Sequence, residues 1–250
     1  MNCDLDSAAV ALRDRARRCA TDVVTPQAQH IDATGVLPDA VREAARPTLP
    51  AGAIGDLVTV AAVVEELAVA SAAVALATAG SALGAVVAGP ATQWPGLRGA
   101  DIDGVRAAHG DDPRWATAVT AALIGLGRAA VEQSRTALRS AREAGTPNDT
   151  AQAPLADAAT MVDAARLLLW DAARAGRASE SAAAAQGMAR LQALEALVLA
   201  VSAAEQATGV EASRPGAPLE RLSRDAATLA RVCGEAGAAQ RAVAALVLPA

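Results

Sequence analysis

Residues 112–147 read DPRWATAVTAALIGLGRAAVEQSRTALRSAREAGTP, and this stretch decides the fold class. Asp112 followed by Pro113 is a helix start. An aspartate oxygen can accept from the first free backbone N–H groups, and proline at the first helical position gives up an N–H that had no partner. Trp115, Val119, Leu123, Leu126 and Ala130 then recur at spacings of four and three, the period of one helix face. Gly145-Thr146-Pro147 is the stop: glycine suits a left-handed residue and proline prevents continuation. The pattern predicts a helix from Pro113 to about Ala144.

Outward from this helix the same logic repeats. Leu155–Ala175 carries Ala159, Val162, Ala165 and Leu169 at helical spacing, and Met188–Ala207 carries Leu191, Leu194, Val198 and Val201, with Gly209 closing it. Pro215-Gly216-Ala217-Pro218 leads to two shorter helices around Leu219–Val232 and Ala236–Leu248. Upstream, Leu5 to about Cys19 is a first helix with Leu5, Ala8, Leu12 and Ala16 on one face. Its arginines at 13, 15, 17 and 18 are expected to form a solvated face, with Asp14 and Arg18 at supporting spacing. Pro26 to Gly35 is expected to bend the chain, and Leu37-Pro38-Asp39 to open a short helix. Pro47, Pro50 and Gly52 precede an apolar helical run from about Asp56 to Val87, and Gly89–Pro113 is the one long irregular stretch. Three long amphipathic helices with short connections argue for an antiparallel bundle. The expected fold is all-α, an N-terminal helical region packed on a C-terminal four-helix-type bundle.

Composition agrees and also removes chemistry. Of 250 residues 71 are alanine, the best helix former, and there is no lysine, phenylalanine or tyrosine. Without lysine there is no Schiff base and no phosphate-loop lysine. His30 and His109 cannot build a di-iron bundle site, and Cys3, Cys19 and Cys233 show no ligand spacing, so no metal is expected. The same three cysteines form no disulfide framework, which points to a reducing, cytoplasmic location. A net charge of −5, with stacking aromatics nearly absent, gives no reason to seek nucleic acid. The acidic start lacks the basic and apolar regions of a signal peptide. Leu67 to Gly89 is 23 residues without a charge, long enough to cross a bilayer. It is mostly Ala, Ser, Thr and Gly with Glu65 and Glu66 at its threshold, so a buried helix or helix pair is expected, with no membrane.

Several ordered segments resemble the acyl-CoA dehydrogenases, flavoenzymes that desaturate acyl thioesters between Cα and Cβ. Val24-Thr25-Pro26, His30, Gly35, Leu37-Pro38 and Val41-Arg42 are similar to that family's second and third helices. Val63-Val64-Glu65-Glu66-Leu67-Ala68 resembles its E-E-L-A/G helix. Residues 121–142, then Leu155-Ala156-Asp157 and Ala164-Ala165-Arg166, resemble the start of the C-terminal bundle. Gln206-x-x-Gly209, Pro218-x-Glu220-Arg221-x-x-Arg224-Asp225-Ala226 and Gln240-Arg241 resemble the closing helices. The resemblance implies FAD as cofactor, with Gln206, Gly209 and Gln240 as cofactor contacts and Glu235 as the candidate catalytic base. It divides the chain into an N-terminal helical region, 1–90, a short linker, 91–113, and a C-terminal bundle, 114–250.

The departures from the family pattern shape the functional expectation. Members place a β-barrel between the two helical parts, whereas only 26 residues separate Pro90 from Thr117. A barrel needs many paired strands of about 5–6 residues each and cannot fit there. The arginine-bearing phosphate loop expected after Glu143 is replaced by a shorter interval, 144–154, without arginine. The glycine pair of the Q-x-x-G-G turn keeps Gly209 but has Val210 next. Gly234 stands where the base often sits, with Glu235 one position along, about 100° around a helix. The other place where members carry the base falls on Trp115, and Asp112 serves as a cap. Arg224 and Asp225 are expected to form a structural ion pair, Glu65 and Glu66 to be helix-packing acids, and Trp94, Trp115 and Trp170 to be core or interface anchors. The reading is an acyl-CoA-dehydrogenase-like helical subunit, catalytically degenerate and partnered with a full-length acyl-CoA dehydrogenase paralogue or with itself, sharing FAD. The alternative is an FAD-dependent acyl-CoA dehydrogenase, binding acyl-CoA and active only in an oligomer.

Overall fold

A computed structural model describes residues 5–83, 112–175, 180–233 and 236–248. Ten α-helices are formed among them, with no strand: α1 Ser7–Cys19, α2 Thr25–Thr34, α3 Asp39–Ala45, α4 Leu57–Ala70, α5 Ala72–Ala82, α6 Pro113–Glu143, α7 Gln152–Ala175, α8 Glu180–Thr208, α9 Pro218–Val232 and α10 Ala236–Val247. The N-terminal region packs on the C-terminal bundle mainly through α4 against α6, while α6, α7 and α8 pack on one another. The irregular stretch beginning at Gly89, including Trp94 and His109, lies outside the described residues except for Asp112 and Pro113, as do Cys3, Gly234 and Glu235.

Helix α6 sits at the centre and follows its sequence signals. Asp112 accepts from Arg114 N at 2.8 Å, Pro113 fills the first turn, and Trp115, Val119, Leu123, Leu126 and Ala130 are all buried. At its end Gly145 takes φ +74° while Thr146 N donates to Ala141 O at 2.9 Å, satisfying a carbonyl the helix would leave open. Two glycines let α6 approach its neighbours. A Cβ on Gly125 would lie 2.5 Å from Glu65 O and 2.6 Å from Ala68 Cβ of α4, and one on Gly127 would lie 3.0 Å from Val162 Cγ2 of α7.

Local parts of the expected helix pattern are corrected. The Pro26–Gly35 segment is not a bend but helix α2. The chain runs on from α1 through a π-helical turn, Ala20–Val24, so that Pro26 falls in the first turn of α2, where its missing N–H costs little. Gly35, at φ +67°, is the actual end. Of the buried helix or helix pair expected after Asp56, the pair forms, because Ser71 turns extended (φ −161°, ψ 117°) and its Oγ accepts from Val74 N at 3.4 Å. On α7 the buried residue is Ala158, with Ala159 half-buried.

Helix α8 presents a different face from the one its large residues suggest. Val198 is 67% exposed and Leu191, Leu194 and Val201 are only partly covered, whereas Ala189, Ala193, Ala196, Leu197, Ala200, Ala203 and Ala204 are buried. The helix packs on both α6 and α7, and small residues allow that close spacing. The stretch Ala182–Ser213 has the length and apolarity of a membrane span by composition, yet its alanine side is covered by the neighbouring helices.

Candidate functional site

The chemistry-bearing side chains gather in two charged layers. The first lies on α4, whose Glu65 and Glu66 are 3% and 7% exposed in an otherwise apolar helix. Buried charge persists only when paired, and each carboxylate is. Glu65 Oε1 accepts from Arg128 Nη1 of α6 and Arg166 Nε of α7, both at 2.8 Å. Glu66 Oε1 accepts from Arg17 Nη2 of α1 at 2.9 Å and Arg128 Nη1 at 3.3 Å, and its Oε2 from Arg17 Nε at 3.2 Å. Four helices are tied at one level. Arg17 reaches Glu66 while staying exposed on the solvated face of α1, and Asp14 pairs with Arg13 at 2.9 Å rather than with Arg18.

The two carboxyls titrate in opposite directions. Burial raises Glu65 above the ordinary glutamate range, against the pull of Arg166 and Arg128. Burial also pushes Glu66 upward, but the hydrogen bond from Arg17 and the charges of Arg128 and Arg17 outweigh it and hold Glu66 low. Both remain helix-packing acids.

The second layer joins α2 to α9. Arg224 donates to Asp32 (Nη1 to Oδ1 at 3.0 Å, Nη2 to Oδ2 at 2.7 Å) and to Glu220 (Nε to Oε1 at 2.6 Å, Nη2 to Oε2 at 3.0 Å). The expected Arg224–Asp225 pair is not made. Neighbours in a helix point about 100° apart, so Asp225 turns inward and meets Arg221 Nη1 at 3.5 Å. Burial raises its carboxyl to about 6, against the attraction of Arg221. A raised folded value means that the folded chain binds the proton more tightly, so Asp225 weakens the fold as pH rises from about 4 to 6. Asp225→Asn is expected to gain roughly 1–3 kcal/mol at pH 7 relative to the parent and to lose that gain by pH 4. Urea titrations at both pH values check this; an Asn variant less stable at pH 7 overturns it.

The positions implied to hold FAD are surface positions here. Gln206 is exposed and its Nε2 donates to Ser202 Oγ at 3.2 Å, while its carbonyl accepts from Asn148 Nδ2 at 3.2 Å. Gly209 takes φ +67° at the end of α8, but a Cβ on it would meet nothing within 4 Å, and Val210 beside it is 86% exposed. Gln240 is exposed on α10. The described residues of one chain make no enclosed cradle for FAD at this turn. Nor do the other groups assemble a reaction centre. Burial raises both described thiols, Cys19 and Cys233, the latter to about 12, where the nucleophilic thiolate is suppressed. No three potential metal-ligating residues cluster among the described residues. Trp115 is core, Trp170 is partly buried with Arg174 6.0 Å from its ring centre, and His30 is exposed.

Compared with known proteins, residues 112–247 match the family profile described as acyl-CoA dehydrogenase, C-terminal domain. The chain belongs to the acyl-CoA dehydrogenase family. No curated protein sequence matches it. Among solved structures, a glutaryl-coenzyme A dehydrogenase in complex with glutaryl-CoA aligns over 98% of this chain and 96% of its own, with a TM-score of 0.72 and 17% identity. A nitroalkane oxidase from Podospora anserina aligns over 99% and 97%, with a TM-score of 0.71 and 15% identity. The electron transferring flavoprotein of Acidaminococcus fermentans aligns over 100% of both chains, with a TM-score of 0.68 and 14% identity. At these identities the likeness is one of fold.

Sequence reasoning missed Arg128 and Arg166 as the partners of the α4 acids. A signal was present: Arg128 is the one charge between Trp115 and Val131, as Glu65 and Glu66 are the only charges between Leu57 and Leu83. Isolated charges in two apolar helices that must pack together call for each other.

Proposed function

We propose that this chain is a catalytically degenerate acyl-CoA-dehydrogenase-like subunit of the cytoplasm, acting beside a full-length acyl-CoA dehydrogenase. The observation that carries the reading is the solvent exposure of Gln206, Gly209 and Gln240, the positions the family pattern assigns to the cofactor. A flavin touching them would need a second polypeptide to enclose it. The buried acids of the described residues are committed to arginines, and the short interval 91–113 between the two helical regions is too brief for a barrel. The same exposure supports a second reading, in which an oligomer of this chain shares FAD, with Glu235 as base on an acyl-CoA.

The test is absorbance of the chain purified alone and after co-expression with a full-length paralogue. The chain alone is expected to be colourless. The co-purified pair is expected to be yellow, to bleach on anaerobic addition of an acyl-CoA, and to keep its turnover when this chain carries Glu235→Gln. A yellow solitary chain that bleaches with acyl-CoA and loses turnover in Glu235→Gln establishes the second reading instead.

A further inference from the structure

A cleft of about 300 Å³ opens between α4, α6 and α7. One part of its wall is apolar, formed by Val69, Val131, Ala159 and Val162, and the rest is charged, with Arg128 and Arg166 beside Glu132 and Asp163. The volume lies at the lower edge of small-molecule clefts, roughly 300–1,000 Å³.

The hydrogen-bond inventory of Arg128 is uneven. Its Nη1 is committed to Glu65 and Glu66, while among the described residues Nε and Nη2 donate to nothing. Those two nitrogens form the side edge of the guanidinium, a planar fork matched to the two oxygens of a carboxylate. Elsewhere in this molecule the fork is filled: Arg17 presents Nε and Nη2 to Glu66, and Arg224 presents them to Glu220. Arg166 directs Nε to Glu65 and Nη1 to Asp163, and among the described residues its Nη2 also donates to nothing. The two acids lining the cleft are held by other groups, Glu132 by Arg135 at 2.7 Å and Asp163 by Arg166 Nη1 at 2.8 Å, so neither occupies the Nε/Nη2 edge of Arg128. Glu65 fixes both guanidiniums from below, so the rotamer entropy of two long side chains is already lost before a ligand arrives.

We infer that this cleft binds a small monocarboxylate with an apolar tail, the carboxylate on the Nε/Nη2 edge of Arg128 and the tail against Val69, Val131 and Ala159.

Calorimetric titration of the full chain with sodium hexanoate, paired with NMR of the arginine Nε–H groups, tests it. Hexanoate is expected to bind with a Kd of about 1 mM or tighter and to shift Arg128 Nε saturably. Acetate and inorganic phosphate at matched ionic strength are expected to bind about tenfold more weakly, and hexan-1-ol not to move Arg128 Nε. Arg128→Lys keeps a cation beside Glu65 but has no fork, and Ala159→Leu fills the wall without touching the ion pairs; each is expected to weaken hexanoate by about tenfold with a normal thermal transition. Absence of saturable hexanoate binding, equal binding of phosphate or acetate, or parental hexanoate affinity in both variants overturns the site.

Discussion

Gly125→Ala is expected to lose about 3 kcal/mol or more of unfolding free energy, at the upper end of what overpacking a core costs. The added Cβ has nowhere to go. It would sit 2.5 Å from a backbone oxygen, Glu65 O, and 2.6 Å from Ala68 Cβ. A flexible side chain could swing aside, but a helix backbone moves only as a unit. Helix α4 must back away from α6 and carry with it the carboxylates on which Arg17, Arg128 and Arg166 converge. Urea denaturation of the parent and variant measures the loss. Gly52→Ala is the control, since a Cβ there meets nothing within 4 Å and is expected to change stability by less than about 0.5 kcal/mol. A Gly125→Ala variant as stable as the parent overturns the close α4–α6 contact at this glycine.

Local signals carried most of the fold. The Asp112-Pro113 start and the Gly145 stop of α6 were readable because capping depends on residues adjacent in sequence, and both stand as expected. The face of α8 is not legible from its large side chains, because the packing favours residues small enough to let α6 and α7 come close. Val198 is exposed and Ala200 buried for that reason. In an alanine-rich chain, hydrophobic size is a poor guide to which face is inside. The π turn at Ala20–Val24 left no local mark beyond Pro26 itself, which is equally compatible with a bend.

The candidate site was legible in part. The family resemblance, written in short ordered motifs, agrees with the profile match over 112–247. Which arginine meets which acid was not legible, because those pairs join residues as far apart as Glu65 and Arg166 or Asp32 and Arg224. The Arg224–Asp225 expectation failed on geometry that sequence does supply: adjacent helical residues diverge, and the partner of Arg224 on its own helix is Glu220, four residues back.

Glu65→Ala is expected to cost about 3–5 kcal/mol, the range for breaking a buried ion pair from one side. The acid receives two guanidinium donors at 2.8 Å from two different helices, so its removal leaves Arg128 only the 3.3 Å contact with Glu66 and Arg166 only Asp163 on its own helix, and loosens α4 from α6 and α7 together. Arg128 and Arg166 are each 28% exposed at the side chain, which lets them recover some hydration and sets the expectation toward the lower bound. A double-mutant cycle with Arg166→Met separates the contact from the void left by the deleted side chain, and a coupling of about 1 kcal/mol or more between the two positions is expected. The pH dependence supplies an independent check. Burial raises the Glu65 carboxyl, so the folded chain holds its proton longer than the unfolded chain does, and its ionisation weakens the fold as pH rises through and above the ordinary glutamate range. Glu66, held low by Arg17 and Arg128 despite its burial, has the opposite sign and loses its contribution as pH falls below that range. The penalty of Glu65→Ala should therefore be larger near pH 4 than at pH 8, whereas that of Glu66→Ala should be larger at pH 8. Equal penalties at both pH values for both variants would show that the two acids do not differ in environment as their partners require.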